Sequence, residues 1–418
     1  MNVGEINRRL ENCQAAARIL RTSSAEPRNR VLLTIEKKLK ENQSTILQAN
    51  QTDLKALPPE ATPAFRDRLV FNENRILDAL ASLRQVAAEP SPVGETVESR
   101  TLANGLLLKR VRAPLGIIFM IFESRPNVAL EAFSLALKSG NVILLRGGKE
   151  SASTTQAIYE VIQEALQAEG FTGDYFWGIT DPDRALVGHL LKQKKYIDVV
   201  VPRGGEGLIN FVVENSLIPI IKNDRGMCHL FVHKDASLEM ALSLIENAKT
   251  QRPGVCNAME TVLVHRDLKD NFIPALYARL APKGVEWFGC AETVSLLPGK
   301  PQVKLATEEN FSTEYLDLKM NCKVVSSLEE AILHIERFGS RHSESIITQN
   351  ESAARKFQNE IDAAAVYWNA STRFTDGFAF GLGGELGIST QKLHVRGPVG
   401  LKELTSLRWI IDGNGQTR

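Results

Sequence analysis

Residues 114–149 read PLGIIFMIFESRPNVALEAFSLALKSGNVILLRGGK. The run GIIFMIF (116–122) is apolar throughout, the pattern of a strand buried on both faces. VALEAFSLALKSG follows with apolar residues at helical spacing and closes on Gly140, and VILLR (142–146) is a second apolar strand. The alternation continues downstream. Residues 151–168 form an amphipathic helix. Asp181-Pro182 reads as an N-cap followed by Pro at the first helical position. IDVVV (197–201) is a third strand, and PRGGEG opens the next helix. Such a sequence predicts an α/β fold, a parallel sheet covered by helices.

On the N-terminal side, residues 1–90 place Leu, Ile and Ala at helical spacing among charges, interrupted by Pro58, Pro59 and Pro63, and end at Glu89-Pro90-Ser91-Pro92. This predicts a set of helices. TLANGLLLKRV then sets Asn104-Gly105 between two β-prone runs, which predicts a hairpin with a type I′ turn. On the C-terminal side a second α/β unit begins near His233. Residues 237–250 are its helix, QRPGVCNA a loop and METVLVH (259–265) a strand; SLEEAILHIERFG, SESIITQ, a helix from Asn350 to Ile361 and AAAVYWN continue it. The final glycine-rich stretch reads as an arm.

Composition narrows the function classes. Over 418 residues, 43% are hydrophobic and 24% charged, an ordinary globular balance that at this length calls for more than one domain. The 50 basic and 49 acidic residues leave a charge of +1, so there is no electrostatic footprint for nucleic acid. The N-terminus has no apolar signal region, and no apolar run is long enough to span a bilayer. Five scattered cysteines (13, 228, 256, 290, 322) suit a reducing compartment, and the expectation is a cytoplasmic protein that does not engage membranes.

Among the cysteines, Cys256 stands apart. It lies in Gln-Arg-Pro-Gly-Val-Cys-Asn-Ala, a polar loop with Arg252 nearby, where a thiolate could be exposed and stabilised. A small core residue is the other reading. No Cys-x-x-Cys, His-x-x-x-His or His-Glu-x-x-His is present, so no metal site is expected. A Gly-x-Ser-x-Gly elbow is also missing, which argues against a hydrolase of that type. Arg146-Gly-Gly-Lys149-Glu150 lacks the upstream glycine of a P-loop and has Glu150 where a magnesium-binding Ser or Thr should stand. It and Pro202-Arg203-Gly204-Gly205-Glu206-Gly207 are strand-to-helix turns where a phosphate could meet backbone N–H groups and cations. Two ordinary tight turns would read the same way.

Taken in order, ESRPN, LRGGK, VPRGG, PGVCNA and AAAVYWNAS make the chain resemble the aldehyde dehydrogenase superfamily, and within it the gamma-glutamyl phosphate reductase family, from about residue 5 to 415. The resemblance implies two Rossmann-like α/β domains and a β-arm for oligomerisation. The NADP-binding domain would comprise residues 1–97 and 114–232, with 366–380 returning to it. Residues 233–365 would be the catalytic domain carrying Cys256, and 98–113 with 381–418 the arm.

It also implies roles. Cys256 matches the nucleophile, and Asn127 the side-chain amide of the oxyanion hole, a donor commonly worth about 2.7–4 kcal/mol in the transition state. Arg146 matches the basic residue at the adenosine ribose, and Lys149 is near enough to help bind a 2′-phosphate. Gly204 and Gly205 fall by the pyrophosphate, and Glu314 matches the carboxylate on the nicotinamide ribose. Arg225 and Arg252 are candidates for the substrate's α-carboxylate or phosphate, with salt-bridged structural arginines as the alternative.

The implied reaction is NADPH-dependent reduction of L-glutamate 5-phosphate to the 5-semialdehyde, the second step of proline biosynthesis, by a homo-oligomer functionally coupled to glutamate 5-kinase. One departure is informative. Hydrolytic relatives carry Glu-Leu-Gly-Gly upstream of the cysteine, whose glutamate activates water. Here the region reads Ile221-Lys222-Asn223-Asp224-Arg225-Gly226. A coenzyme A-acylating aldehyde dehydrogenase and a non-catalytic nucleotide-binding module are the rival readings.

Overall fold

The computed structural model describes residues 2–123, 125–222 and 225–418, with residues 63 and 64 as backbone only. The chain folds as two compact units. The first comprises residues 1–223, 381–387 and 398–418, and the second residues 224–380 and 388–397.

Five helices open the first unit: Val3–Thr22, Ala25–Glu41, Gln43–Lys55, Pro63–Leu69 and Glu73–Ala88. The first begins where Asn2 and Glu5 satisfy each other's backbone N–H groups as a capping box. It buries Ile6, Leu10, Cys13, Ala16 and Leu20, one stripe of the helix. The hairpin follows, strands β1 (Thr96–Thr101) and β2 (Leu107–Pro114), antiparallel, with the chain's last strand, Thr405–Asp412, on the other edge of β2. Its turn is not type I′. Gly105 N donates to Leu102 O, and of Asn104 and Gly105 only Gly105 is left-handed (φ +87°). That is a type I turn followed by a left-handed residue, because Asn104 uses its side chain to accept from Leu106 N instead of adopting positive φ.

The sheet predicted from residues 114–203 is present. β3 (Ile117–Phe122), β4 (Val142–Arg146), β5 (Phe176–Ile179) and β6 (Val199–Arg203) lie in the order β5-β4-β3-β6, all parallel. Every residue of β3 is buried. The crossover helix Val128–Lys138 is buried all round except at Glu131, as its nearly continuous apolar sequence requires. It stops at Gly140 (φ +79°), where Asn141 N reaches back to Ala136 O in a Schellman turn. The later helix start is displaced from Asp181. Asp183 caps Arg184–Leu190 by accepting from Ala185 N, while Asp181 accepts from Asp183 N. Local Asx bonding moves the cap two residues on.

The second unit is a seven-stranded parallel sheet. Its strands are β7 (Cys228–Val232), β8 (Met259–His265), β9 (Glu286–Gly289), β10 (Val303–Leu305), β11 (Lys319–Val325), β12 (Ser343–Ile347) and β13 (Ala365–Trp368). They lie in the order β10-β9-β11-β8-β7-β12-β13. β7 sends Leu230 and Val232 into one core with Ile245, Phe272 and Trp287, and Phe231 into another with Ile335 and Phe357.

The sheet corrects the expected boundaries. β7 belongs to it, so the unit starts at 224 and not at 233. Residues 366–380 do not return to the first unit, because β13 pairs in register with β12. Within the expected arm, residues 388–397 also belong to the second unit, while Leu386, Val399 and Leu404 are buried in the first. Among the described residues no helix is long and apolar enough to cross a membrane.

Candidate active site

In the second unit, Cys256 occupies the turn between the helix Leu238–Thr250 and β8, half-buried. Its main chain is held on several sides. Gly226 lies against it so closely that a Cβ at 226 would stand 1.6 Å from the Cys256 carbonyl oxygen. The same oxygen accepts from Cys228 Sγ at 3.2 Å. Next in sequence, Asn257 Nδ2 donates to Thr375 O (2.8 Å) and Arg373 O (3.3 Å), and Thr372 Oγ1 donates to Asn257 O (2.8 Å). A thiol whose main chain is tied in this way keeps its position whatever its side chain is bonded to.

Glu314 belongs to the same group: its Oε1 accepts from Gly226 N at 2.8 Å. The loop that carries Glu314 is anchored by Glu260 Oε1, which accepts from Leu316 N at 3.3 Å. Glu260 is buried and paired with buried Lys249 (3.1 Å), whose Nζ also donates to Met259 O. Burial pushes the Glu260 carboxyl up to about 7 and the Lys249 ammonium down, each resisted by its partner's charge. Arg225 and Arg252 are both exposed. Asn223 and Asp224, in the stretch expected to lack the glutamate base, lie outside the described residues, as does Ser124 of the ESRPN word.

In the first unit, the remaining candidates gather at the C-terminal edge of the sheet, the edge where open α/β sheets bind ligands. Arg146 ends β4, half-buried, with Nη2 donating to Pro182 O at 3.1 Å. Burial and the neighbouring Arg184 lower its affinity for its proton, with Asp181 and Asp183 partly compensating. Lys149 is exposed at the start of a short 3₁₀ turn. Gly204 and Gly205 follow β6. The Gly205 N–H donates to Glu123 Oε2 at 2.8 Å, and a Cβ on Gly204 would lie 2.4 Å from that oxygen. That amide is therefore committed to a carboxylate of the chain itself, and the fit to a doubly charged phosphate falls to Arg146, Lys149 and Arg184. Asn127 precedes the helix Val128–Lys138, its Nδ2 donating to Glu131 Oε1 at 3.3 Å; Glu131 is in turn 3.7 Å from Arg203.

Sequence reasoning missed Gly226, Asn257, Arg373 and Arg184. Asn257 adjoins the cysteine, but its partners lie 116 and 118 residues away and nothing local points to them. Arg184 had a faint signal as a second cation just beyond the displaced cap. Among the described residues no cluster of His, Cys, Asp and Glu forms a metal site.

Comparison with known proteins identifies the family. Residues 1–285 match the model of the aldehyde dehydrogenase family. The chain is 48% identical over 420 residues to a gamma-glutamyl phosphate reductase of Moorella thermoacetica, covering all of both chains. It is 48% identical to that of Carboxydothermus hydrogenoformans over 98% of each. The crystal structure of gamma-glutamyl phosphate reductase from Thermotoga maritima superposes with a TM-score of 0.94 at 44% identity, covering 99% of this chain and all of the other. A propionaldehyde dehydrogenase of Rhodopseudomonas palustris, with a TM-score of 0.70 at 15% identity and 97% and 96% coverage, shares the fold.

Proposed function

Since the chain belongs to the aldehyde dehydrogenase family and its full-length relatives are gamma-glutamyl phosphate reductases, we propose that it reduces L-glutamate 5-phosphate to L-glutamate 5-semialdehyde with NADPH, through a thioester on Cys256. The observation that carries this reading is the half-buried Cys256, its carbonyl fixed by Cys228 and its neighbour Asn257 tied to residues 372–375.

The Cys256 thiolate attacks the acyl carbon. The S–C bond forms, the C–O bond to phosphate breaks, and phosphate leaves with the electron pair. When bound, NADPH supplies a hydride to the acyl carbon. The oxyanion that develops at each stage is stabilised by the Cys256 N–H. Collapse then returns the thiolate and frees the aldehyde. A free cysteine, with a pKa near ~8.5, is mostly thiol at neutral pH, so the site must favour the anion. Arg146, with Arg184 beside it and Lys149 on the next turn, would hold the cofactor's 2′-phosphate through charge-assisted bonds. Glu314, its carboxylate anchored on Gly226 N, would hold the nicotinamide ribose.

The enzyme is further proposed to self-associate through the exposed sheet of β1, β2 and Thr405–Asp412. Leu407, Trp409 and Ile411 stand alternately along the outer strand, on one face. A monomer by light scattering at micromolar concentration would remove this part.

Running the reaction backward tests the chemistry. With semialdehyde and NADP, NADPH formation should depend strongly on added phosphate, should not be supported by coenzyme A, and should release little free glutamate. Equal rates with and without phosphate would make water the acceptor and overturn the reading; no NADPH at all would leave a binding module.

A further inference from the structure

Arg373 sits in the 3₁₀ turn Thr372–Phe374, half-buried, and the function so far does not use it. Its backbone belongs to the bracket around the nucleophile, since its carbonyl accepts from Asn257 Nδ2. Its side chain folds back over the same loop from the other end, with Nε donating to Gln251 Oε1 at 3.0 Å. Arg373 is thus tied to both ends of the segment 251–257, on whose turn Cys256 stands: by its side chain at Gln251 and by its carbonyl at Asn257. Among the described residues Arg373 makes no ion pair. Its titratable surroundings are the Cys256 thiol, the exposed Arg252, Asp376 and the buried Cys228 thiol. Burial works against the guanidinium cation, and a negative charge at Cys256 is the largest influence restoring it. A cation taken partly out of water without a carboxylate partner is costly unless an anion comes to it.

Two anions come to this position in the proposed reaction. One is the thiolate itself, between turnovers. The other is the phosphate, whose bridging oxygen is bonded to the carbon that Sγ attacks and which must therefore depart beside Sγ. We propose that Arg373 is the anion-binding residue of the nucleophile turn, holding the Cys256 thiolate in the free enzyme and the phosphoryl group of the acyl phosphate as its C–O bond breaks. The inference rests on the phosphorylating reading above. It deepens that reading by assigning the leaving group to a residue other than Arg225 and Arg252, which are exposed. The step balances with one proton from solvent: the S–C bond forms, the C–O bond breaks, and the departing phosphate takes the electron pair against a fixed cation with a planar set of donors, then picks up a proton to end as the dianion.

Arg373→Gln tests this without dismantling the loop, because Asn257 is held by the carbonyls of residues 373 and 375 and not by the guanidinium. Two readouts are used on the full-length protein. The first is the pH profile of Cys256 alkylation by iodoacetamide, followed on the Cys256 peptide by mass spectrometry. R373Q should move the midpoint up by about one unit, so that alkylation at neutral pH slows about tenfold. The second is the reverse reaction, in which the KM for inorganic phosphate should rise by about tenfold or more, while the KM for the semialdehyde stays within about twofold. Arg373→Lys should recover part of both, as a point charge without the planar fork.

An R373Q protein whose alkylation midpoint and phosphate KM match wild type would overturn the assignment of Arg373. So would an equal rise in both KM values, which would mark a general loosening of the turn. Failure of the phosphorylating reading is seen separately, in a wild-type rate that ignores phosphate.

Discussion

Replacing Gly226 by Ala should disable the enzyme while leaving it folded. The Cβ would lie 1.6 Å from the Cys256 carbonyl oxygen, 2.4 Å from its carbonyl carbon and 2.7 Å from its Cα. Contacts of a Cβ below 3.0 Å essentially do not occur, so the segments carrying Gly226 and Cys256 must part by 3.0 − 1.6 = 1.4 Å at the worst contact. All three atoms are main chain, so no rotamer change relieves the clash. Moving Gly226 instead pulls on its bond to Glu314 Oε1, and moving Cys256 pulls on the Cys228 and Asn257 contacts. Either way one of the proposed site's two carboxylate or thiol groups is displaced by more than an ångström. A displacement of that size costs turnover about 10²-fold, while overpacking costs about 1–3 kcal/mol of stability. The assay is phosphate-dependent oxidation of glutamate semialdehyde, with urea unfolding alongside. Gly188→Ala is the control, since a Cβ there meets nothing within 4 Å and the residue lies in the helix Arg184–Leu190. A G226A enzyme within about twofold of wild-type kcat would refute the argument that this glycine sets the nucleophile's position.

Cys256→Ala should abolish turnover with folding and NADPH binding retained, whereas Cys13, Cys290 and Cys322 should each tolerate Ala; more than a tenth of wild-type activity in C256A would remove the nucleophile assignment. Arg146→Ala and Lys149→Ala should each lower the preference for NADPH over NADH, read from the ratio of kcat/KM values, and an unchanged ratio in both would place discrimination elsewhere. Acid should destabilise the second unit through His342. It is fully buried, and burial holds its imidazole down to about 4 against an ordinary 6.5. The unfolded chain therefore takes up a proton between pH 6.5 and 4 that the folded chain refuses. Stability is whole above pH 6.5 and lost as pH falls toward 4, by up to about 3 kcal/mol. Urea midpoints from pH 7.5 down to 5 should fall less steeply in His342→Gln; parallel curves would exclude His342 as the source.

Much of the architecture was legible because burial on both faces leaves a mark in one dimension. VILLR and METVLVH became β4 and β8 with the predicted ends, since a strand inside a parallel sheet has no polar side to blur its limits. The helix Val128–Lys138 was equally plain from its apolar run and terminal Gly140. Local polar chemistry was harder to place. Asp181 and Asp183 are both good caps, and the hairpin word Asn-Gly admits more than one turn, because a few hydrogen bonds decide between near-equal choices. For the site, the order of words along the chain singled out Cys256, Asn127, Arg146 and Glu314 as candidates. It could not see what holds the cysteine in place. Gly226 abuts Cys256 across a gap of thirty residues, and Asn257 meets Thr375 from the far side of the sheet's last crossovers. The ladder of β12 with β13 likewise decided that 366–380 stays with the cysteine, which is why the Arg373 carbonyl meets Asn257, the residue next to it. Residue identity along the chain determines which chemistry is available; which side chains share a desolvated turn depends on strand pairings between distant segments, and only the folded chain decides those.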